Sequence, residues 1–412
     1  MIVLSGATLV LPDRTLSPGT LVVDGDRIVD VHAGVAVSAG HPRAPLFTFS
    51  EHYIVPGFID VHVHGVDGFD ALDDGSPVIG MAARMPRYGV TAFCPTTVAC
   101  VPDELRRVLR QVRLARKTRA PRAARVLPAH LESNFINPQF RGAQPLACLR
   151  SPRAALAGRM KLPHPVRDQD DRFAAPDVLV EIERGAADVG IVTLASELDG
   201  GLELIRWLTS RGHRVSLGHS GATYEEGLDA IAAGARQATH LFNRMPPLGH
   251  RAPGLVGAVL QSEEVAAELI CDGHHVHPAL VRAAVRAKGP GRILAVTDGT
   301  AVSGLRVGAW ASLGGQAIIA GETTAKLRDG TMAGSILTMD RAFQTLVRQM
   351  GLSMVDAATM CSTTPAREMG LAGYGQLAPD GVADFVVLDE QLTVAQTYIA
   401  GQLVYARDRG MA

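Results

Sequence analysis

RVSLGHSGATYEEGLDAIAAGARQATHLF, residues 214–242, reads as a strand, a helix and a second strand. RVSLGH is a short buried-strand run that closes on His219, and QATHLF repeats its texture and carries His240. The Ala-rich stretch between them reads as a helix. Side by side in a parallel sheet, such strands put the two histidines at one height, a single strand–helix unit apart. The glycines of LGHSGATYEEG lack the Lys and the spacing of a phosphate loop, so the turn after His219 is not a nucleotide cradle.

Six further runs share the strand texture: FIDVHVH after Gly57, GVTAFC after Tyr88, RVLPAHLE after Ala124, GIVTLASE after Val189, AAELICD after Val265 and RILAVTD after Gly291. Ala/Leu/Arg-rich helical stretches separate them. Eight units favour a parallel (β/α)8 TIM barrel over residues 56–367, although an open doubly wound sheet would also show several such runs. The flanks differ. IVLSGATLVL and TLVVDGDRIVDV near one end read as a small antiparallel unit, and ADFVVLDE and AQTYIAGQLVYA near the other share its texture, which predicts that residues 1–55 and 368–412 pair into one small sheet domain. From Cys148 to about Asp177 the chain holds four prolines and no clear strand, which predicts an elaborated loop over one end of the barrel. Between Arg106 and Arg125, Leu105, Val108, Leu109 and Val112 keep helical spacing, so the crowded basic residues read as a solvated helix face.

Across 412 residues, 40 Lys and Arg balance 41 Asp and Glu, leaving a net charge of −1 and no overall field to attract nucleic acid. With 47% hydrophobic and 20% charged residues, the chain is globular in composition. Cys94, Cys100, Cys148, Cys271 and Cys361 form no CxxC pair, which argues against a disulfide framework or a thiolate zinc site. The first positive side chain is Arg14, and no apolar run approaches the roughly 18 residues that cross a bilayer. A cytoplasmic protein without membrane contact is expected.

Strand side chains alternate, so His62 and His64 in the first run face the same way. Glu132 closes the third run, His219 the fifth, His240 the sixth and Asp298 the eighth, and in a barrel these carboxyl ends share one rim. Imidazoles and a carboxylate without thiolate suit zinc, and iron, manganese or cobalt fit the same donors. A divalent ion so held lowers the pKa of water and polarises a carbonyl, which predicts hydrolysis of an amide or ester with Asp298 as the acid/base. In HLFNRMPPLGHRAPG, Asn243 offers an amide and Arg251 a fork of donors for an anion. CDGHHVHP brings His274, His275 and His277 together, too many for all to be ligands.

The segments PGFIDVHVHG, AHLESNFINP, VTLASE, LGHSGATYEE, ATHLFNRMPPLGHRAPG, ICDGHHVHP, LAVTDGTAVSG and AGSILTMDRAF run through nearly the whole chain. In that order they resemble the N-acetylglucosamine-6-phosphate deacetylases of the amidohydrolase superfamily. The resemblance implies a (β/α)8 barrel, a small β-sandwich domain from both termini, and a metal-dependent deacetylase that releases acetate from an amino-sugar phosphate. It implies that Glu132, His219 and His240 hold the principal metal and that Asp298 is the catalytic acid/base. His62 and His64, which only some members keep, then suit a second ion, so one or two Zn2+ ions per subunit are expected. His275 matches a substrate contact, and Asn243 and Arg251 match phosphate-binding positions. In the family that arginine comes from a neighbouring subunit, which implies a homodimer.

Departures from the family pattern gather near the substrate positions. Ser133 and Asn134 replace Gly-Pro after Glu132, and Gln144 replaces a histidine. Arg244 stands where a small residue is usual, Gly299 follows Asp298 where alanine is common, and Ala252 replaces a glutamate beside Arg251. Gln144 and Arg244 therefore join the expected substrate-binding set. An amidohydrolase acting on another N-acyl sugar or a cyclic amide is the alternative, though a neutral cyclic amide needs no anion clamp. A binding protein that had lost catalysis would lack the ligands or the acid/base, and none is missing.

Overall fold

The computed structural model describes residues 1–36, 44–118, 120–159, 175 and 177–407. Its centre is a ring of eight parallel strands: Phe58–Val63, Val90–Thr97, a broken third strand (Arg125–Val126 and Ala129–Leu131), Val189–Leu194, Arg214–Leu217, Gln237–Ala238, Ala266–Ile270 and Ile293–Val296. Barrel strands are covered on both faces, so they read as continuous apolar runs; every residue of Val90–Thr97 is buried. The third strand breaks at Pro128, which has no N–H to give a ladder. The ring closes where Val63 bridges Gly299 and where Asp298 N donates to His62 O at 2.9 Å.

Eight more strands build the second unit in one sheet, with the order Gln402–Ala406, Val394–Ile399, Phe385–Leu388, Tyr53–Pro56, Ile2–Val10, Thr15–Asp24, Arg27–Ala33, and Leu46–Thr48 beside the first strand. Phe385–Leu388 pairs with Tyr53–Pro56, which joins the two termini. Period-2 alternation assigns its side chains to two cores. Phe385 and Val387 meet Leu4, Leu9, Leu21 and Ile54 inside the sandwich, whereas Val386 and Leu388 turn to the barrel core with Val10 and Val55. Two pairings within this mainly antiparallel sheet are parallel. Ile2–Val10 runs parallel to both Leu46–Thr48 and Tyr53–Pro56, because the chain returns to the edge of the first strand opposite its hairpin partner.

A feature absent from the sequence reading follows the eighth barrel strand. Trp310–Leu313, Gln316–Ala320, Thr324–Leu327 and Met332–Ser335 form a four-stranded antiparallel sheet before the helix Met339–Arg348. Ser335 bridges Gly299 and so fastens this sheet to the barrel mouth. The basic helix, Pro102–Lys117, pairs its charges locally: Arg106 reaches Glu181 at 2.7 Å, and Arg113 and Arg116 reach Asp188 at 2.7 and 2.8 Å. The Pro-rich linker contains the short helix Pro152–Leu156; its residues 160–174 and 176 lie outside the described residues. Among the described residues no helix is long and apolar enough to cross a membrane.

Candidate active site

Several barrel strands end in a left-handed residue that swings its side chain over the mouth. His219 has φ +48°, His240 +31° and Asp298 +47°, conformations that cost of order 1 kcal/mol or more each in a non-glycine residue. The turn before His219 requires Gly218, where a Cβ would stand 2.8 Å from the Thr239 Cβ. The result is a dense polar cluster. Glu132 Oε1 lies 2.8 Å from both His219 Nε2 and His240 Nε2. Asp298 Oδ1 lies 3.2 Å from His64 Nε2 and 3.4 Å from His62 Nε2. Glu132 joins the two halves, with Oε2 3.4 Å from His64 Nε2 and Oε1 3.8 Å from His62 Nε2. All six residues are buried, and Asp298 is the most open at 7% exposure.

Tautomers follow from the outer partners. His219 Nδ1 faces the Phe140 carbonyl at 2.8 Å and must donate, and His62 Nδ1 donates to Glu268 Oε2 at 2.8 Å. In the neutral rings the Nε2 lone pairs therefore point at carboxylate oxygens, an arrangement that is repulsive without a proton or a cation between them. Burial opposes protonation of His62, yet Glu268, Asp298 and Glu132 overcome it and raise its pKa to about 9. His64 reaches about 10 against the same burial, through hydrogen bonds to Asp298 and Glu132. Burial pushes the Glu132 carboxyl up, but the charge and hydrogen bond of His219, with His240 and His64, hold it well below the usual range. Asp298 is likewise lowered against its burial by His64 and His62, so it is ionised near neutral pH.

Those donors fit a divalent cation. Glu132–His219–His240 and His62–His64–Glu132 each bring their ligand atoms within 4.8 Å of one another, and the buried Nδ1 atoms of His64 and His240 have no hydrogen-bond partner among the described residues. A cleft opens above them, lined by His64, Glu132, His219, His240, Asp298, Gln144, Asn243, Arg244 and His275, with Leu313 and Met332 of the inserted sheet as an apolar wall. His275 Nδ1 is 2.6 Å from Asp272 Oδ2, which leaves its buried Nε2 unpartnered at the cleft. Asn243 Nδ2 donates to His240 O at 3.2 Å.

The departures divide by position. Ser133 Oγ donates to Thr193 O, and Asn134 Nδ2 donates to Cys100 O at 2.7 Å and Cys148 O at 2.6 Å, so both tie buried backbone outside the cleft wall. Gly299 leaves room for the Thr297 hydroxyl, 2.9 Å from where a Cβ would sit. Gln144 accepts from Ala99 N at 2.6 Å and donates to Glu132 Oε2. Arg244 stands exposed at the mouth, its side chain unpaired among the described residues. Arg251 and Ala252 are exposed and do not line the cleft of their own chain, and neither do His274 and His277.

Two functional positions escaped the sequence reading. Glu268, 0% exposed, accepts from His62, from Gln237 Nε2 at 2.6 Å and from His240 N at 3.2 Å. His130 donates from Nδ1 to Val61 O at 3.0 Å and accepts from the Thr193 hydroxyl at 2.8 Å. The carboxylate interrupting the apolar run AAELICD was the available clue, because a buried charge demands partners.

Comparison with known proteins agrees with this geometry. Residues 180–404 match the model of the amidohydrolase family. The chain is 41% identical over 368 residues to an N-acetylglucosamine-6-phosphate deacetylase of Homo sapiens, covering 86% of this chain and 84% of that one. It is 34% identical over 352 residues to an N-acetylgalactosamine-6-phosphate deacetylase of Escherichia coli O157:H7, covering 85% and 87%. A solved N-acetyl-D-glucosamine-6-phosphate deacetylase mutant of Mycobacterium smegmatis, in complex with N-acetyl-D-glucosamine-6-phosphate, superposes with a TM-score of 0.84 at 30% identity over 98% of this chain and 99% of that one. The family match over more than half of the chain, these identities over most of its length and the shared fold place the chain in the amidohydrolase family, among the N-acetylglucosamine-6-phosphate deacetylases.

Proposed function

We propose that the protein is a metal-dependent hydrolase that cleaves the acetamide of an N-acetyl amino-sugar 6-phosphate, N-acetylglucosamine 6-phosphate first, to the free amine and acetate. One observation carries the reading: Glu132 Oε1 sits 2.8 Å from the Nε2 atoms of both His219 and His240, beside the ionised Asp298, at the floor of a cleft. Glu132, His219 and His240 would hold the principal ion, and His62 and His64 a second; nitrogen and oxygen donors without thiolate favour Zn2+. When bound, such a cation supplies Lewis acidity toward the amide carbonyl and toward water.

The remaining steps belong to the chain itself. Asp298 takes the proton of the attacking water on its carboxylate and hands it to the departing amine nitrogen. His275, held by Asp272, presents Nε2 to the sugar. Asn243 and Arg244 at the mouth take the phosphate, with Gln144 beside them. Arg251 is exposed and does not line its own cleft, as expected of a residue that completes a neighbouring subunit's site in a homodimer. Five free cysteines suit a reducing cytoplasm. The two apolar cores support the division into residues 1–55 with 368–412, and 56–367.

Acetate release measured across N-acetylglucosamine, N-acetylgalactosamine and their 6-phosphates tests the reading. Turnover of a 6-phosphate that vanishes on chelation and returns with Zn2+ is expected, and Asp298→Asn should lower kcat by about 10²- to 10⁴-fold. Full activity after exhaustive chelation, or equal kcat/KM with and without the phosphate, would refute it.

A further inference from the structure

Three groupings of side chains converge at the barrel centre, and one of them, His62–His130–Glu268, is not built to take an ion. His130 Nδ1 faces the Val61 carbonyl at 3.0 Å, so that nitrogen carries a proton and has no lone pair to offer. His62 Nδ1 likewise spends its proton on Glu268 Oε2 at 2.8 Å. Glu268 therefore acts on the site through His62.

What holds Glu268 is a polar chain across consecutive barrel strands. Arg214 in the fifth strand donates from Nε to Gln237 Oε1 in the sixth at 2.6 Å, which fixes the orientation of that amide. Gln237 Nε2 must then face the seventh strand, where it donates to Glu268 Oε1 at 2.6 Å. Arg214 is itself anchored by Glu368 Oε2 at 2.5 Å. Gln237, Glu268 and His62 are all 0% exposed, so water cannot replace any member. By contrast, His219 is oriented by a neutral carbonyl, and His240 Nδ1 has no hydrogen-bond partner among the described residues. Glu268 reaches an imidazole only on the HxH side of the site; on the other side it accepts only from the backbone N–H of His240, at 3.2 Å.

We propose that Glu268, clamped by Gln237 and Arg214, is the positioning residue that fixes the His62 tautomer and so governs cation binding at His62–His64 far more than at Glu132–His219–His240, where it holds a backbone N–H and no ring. The proposal rests on the cation reading above. Glutamine at this position has one acceptor oxygen where the carboxylate offers two, Oε2 to His62 Nδ1 and His240 N and Oε1 to Gln237 Nε2, so an NH2 must meet at least one of these donors.

The metal-stripped full-length protein, titrated with Co2+ and followed by visible absorption, metal content and chelator competition, reads the two sites separately. Wild type should take two equivalents. Glu268→Gln should weaken the second by roughly 10- to 100-fold, the usual effect of losing an outer partner, and change the first far less. Gln237→Met, which touches no ligand and leaves the Glu268 charge in place, should weaken the second alone by a smaller factor, and it decides the matter if Glu268→Gln does not fold. Equal loss of both equivalents, an unchanged second affinity in the variants, or a single equivalent in wild type overturns the proposal. Wild type that takes up no Co2+ refutes the cation reading itself.

Discussion

His130 shows how one fully buried imidazole sets a pH dependence. Burial lowers its pKa from 6.5 to about 4, and the neighbouring His62 adds to that, while its two ring nitrogens are satisfied in the neutral form by Val61 O and the Thr193 hydroxyl. Between pH 6.5 and 4 the unfolded chain binds the proton and the folded one does not, so stability rises with pH in that window and is lost as pH falls through it. The loss amounts to about 3 kcal/mol at the bottom of the window. His130→Asn should be less stable than wild type at pH 7 but should show a flatter decline, and urea denaturation at pH 7 and pH 4.5 checks this; parallel declines would remove His130 as the cause. The sequence displayed Glu132, His219, His240 and Asp298 because each breaks an apolar run at its carboxyl end. His130 and Glu268 were hidden because each lies inside its run, where its role depends on partners from other strands, and Gln144 because only the fold shows that both ends of its amide are taken.

At the scale of elements, the barrel strands were legible as eight apolar runs, whereas the four short strands over Trp310–Ser335 were not. Those strands are four or five residues long and partly exposed, so they carry neither a continuous apolar run nor a clean alternation. The sheet nonetheless reaches the chemistry. Gly334, at φ +67°, sits so close to the mouth that a Cβ would come 2.8 Å from Asp298 O and 2.7 Å from Thr300 Cγ2. Ser335 N meanwhile donates to Asp298 O at 2.8 Å. Gly334→Ala must therefore shift the backbone that carries Asp298, and misplacing a reacting group by about 1 Å costs on the order of 100-fold in rate. Acetate-release kinetics should show the loss mainly in kcat, with the melting transition lowered by only a few degrees; a normal kcat would mean that the sheet does not position Asp298.

For the whole molecule, the pairing of the two terminal segments was legible from their shared β texture, but the parallel strands within that sheet and its hold on the barrel were not, since both depend on contacts remote in sequence. Arg125, in the third barrel strand, makes a bidentate ion pair with Asp384, both N···O distances being 3.0 Å. Asp384 is 3% exposed and also accepts from Ala400 N at 2.7 Å, so it fastens the barrel to the C-terminal strands from a nearly dry site. Removing the cation leaves that carboxylate buried and uncompensated, which should cost about 3 kcal/mol in Arg125→Ala. Replacing both charges avoids the penalty. In Arg125→Met with Asp384→Asn the amide oxygen still accepts from Ala400 N, and most of the lost stability should return, because the attraction of a buried pair largely offsets its own desolvation. Chemical denaturation of the single and double variants decides the point. Since the pair lies away from the cleft, both should keep the kcat of the parent; a double variant as unstable as Arg125→Ala would show that the arginine acts through packing, including its place 5.3 Å over the Tyr374 ring, rather than through charge.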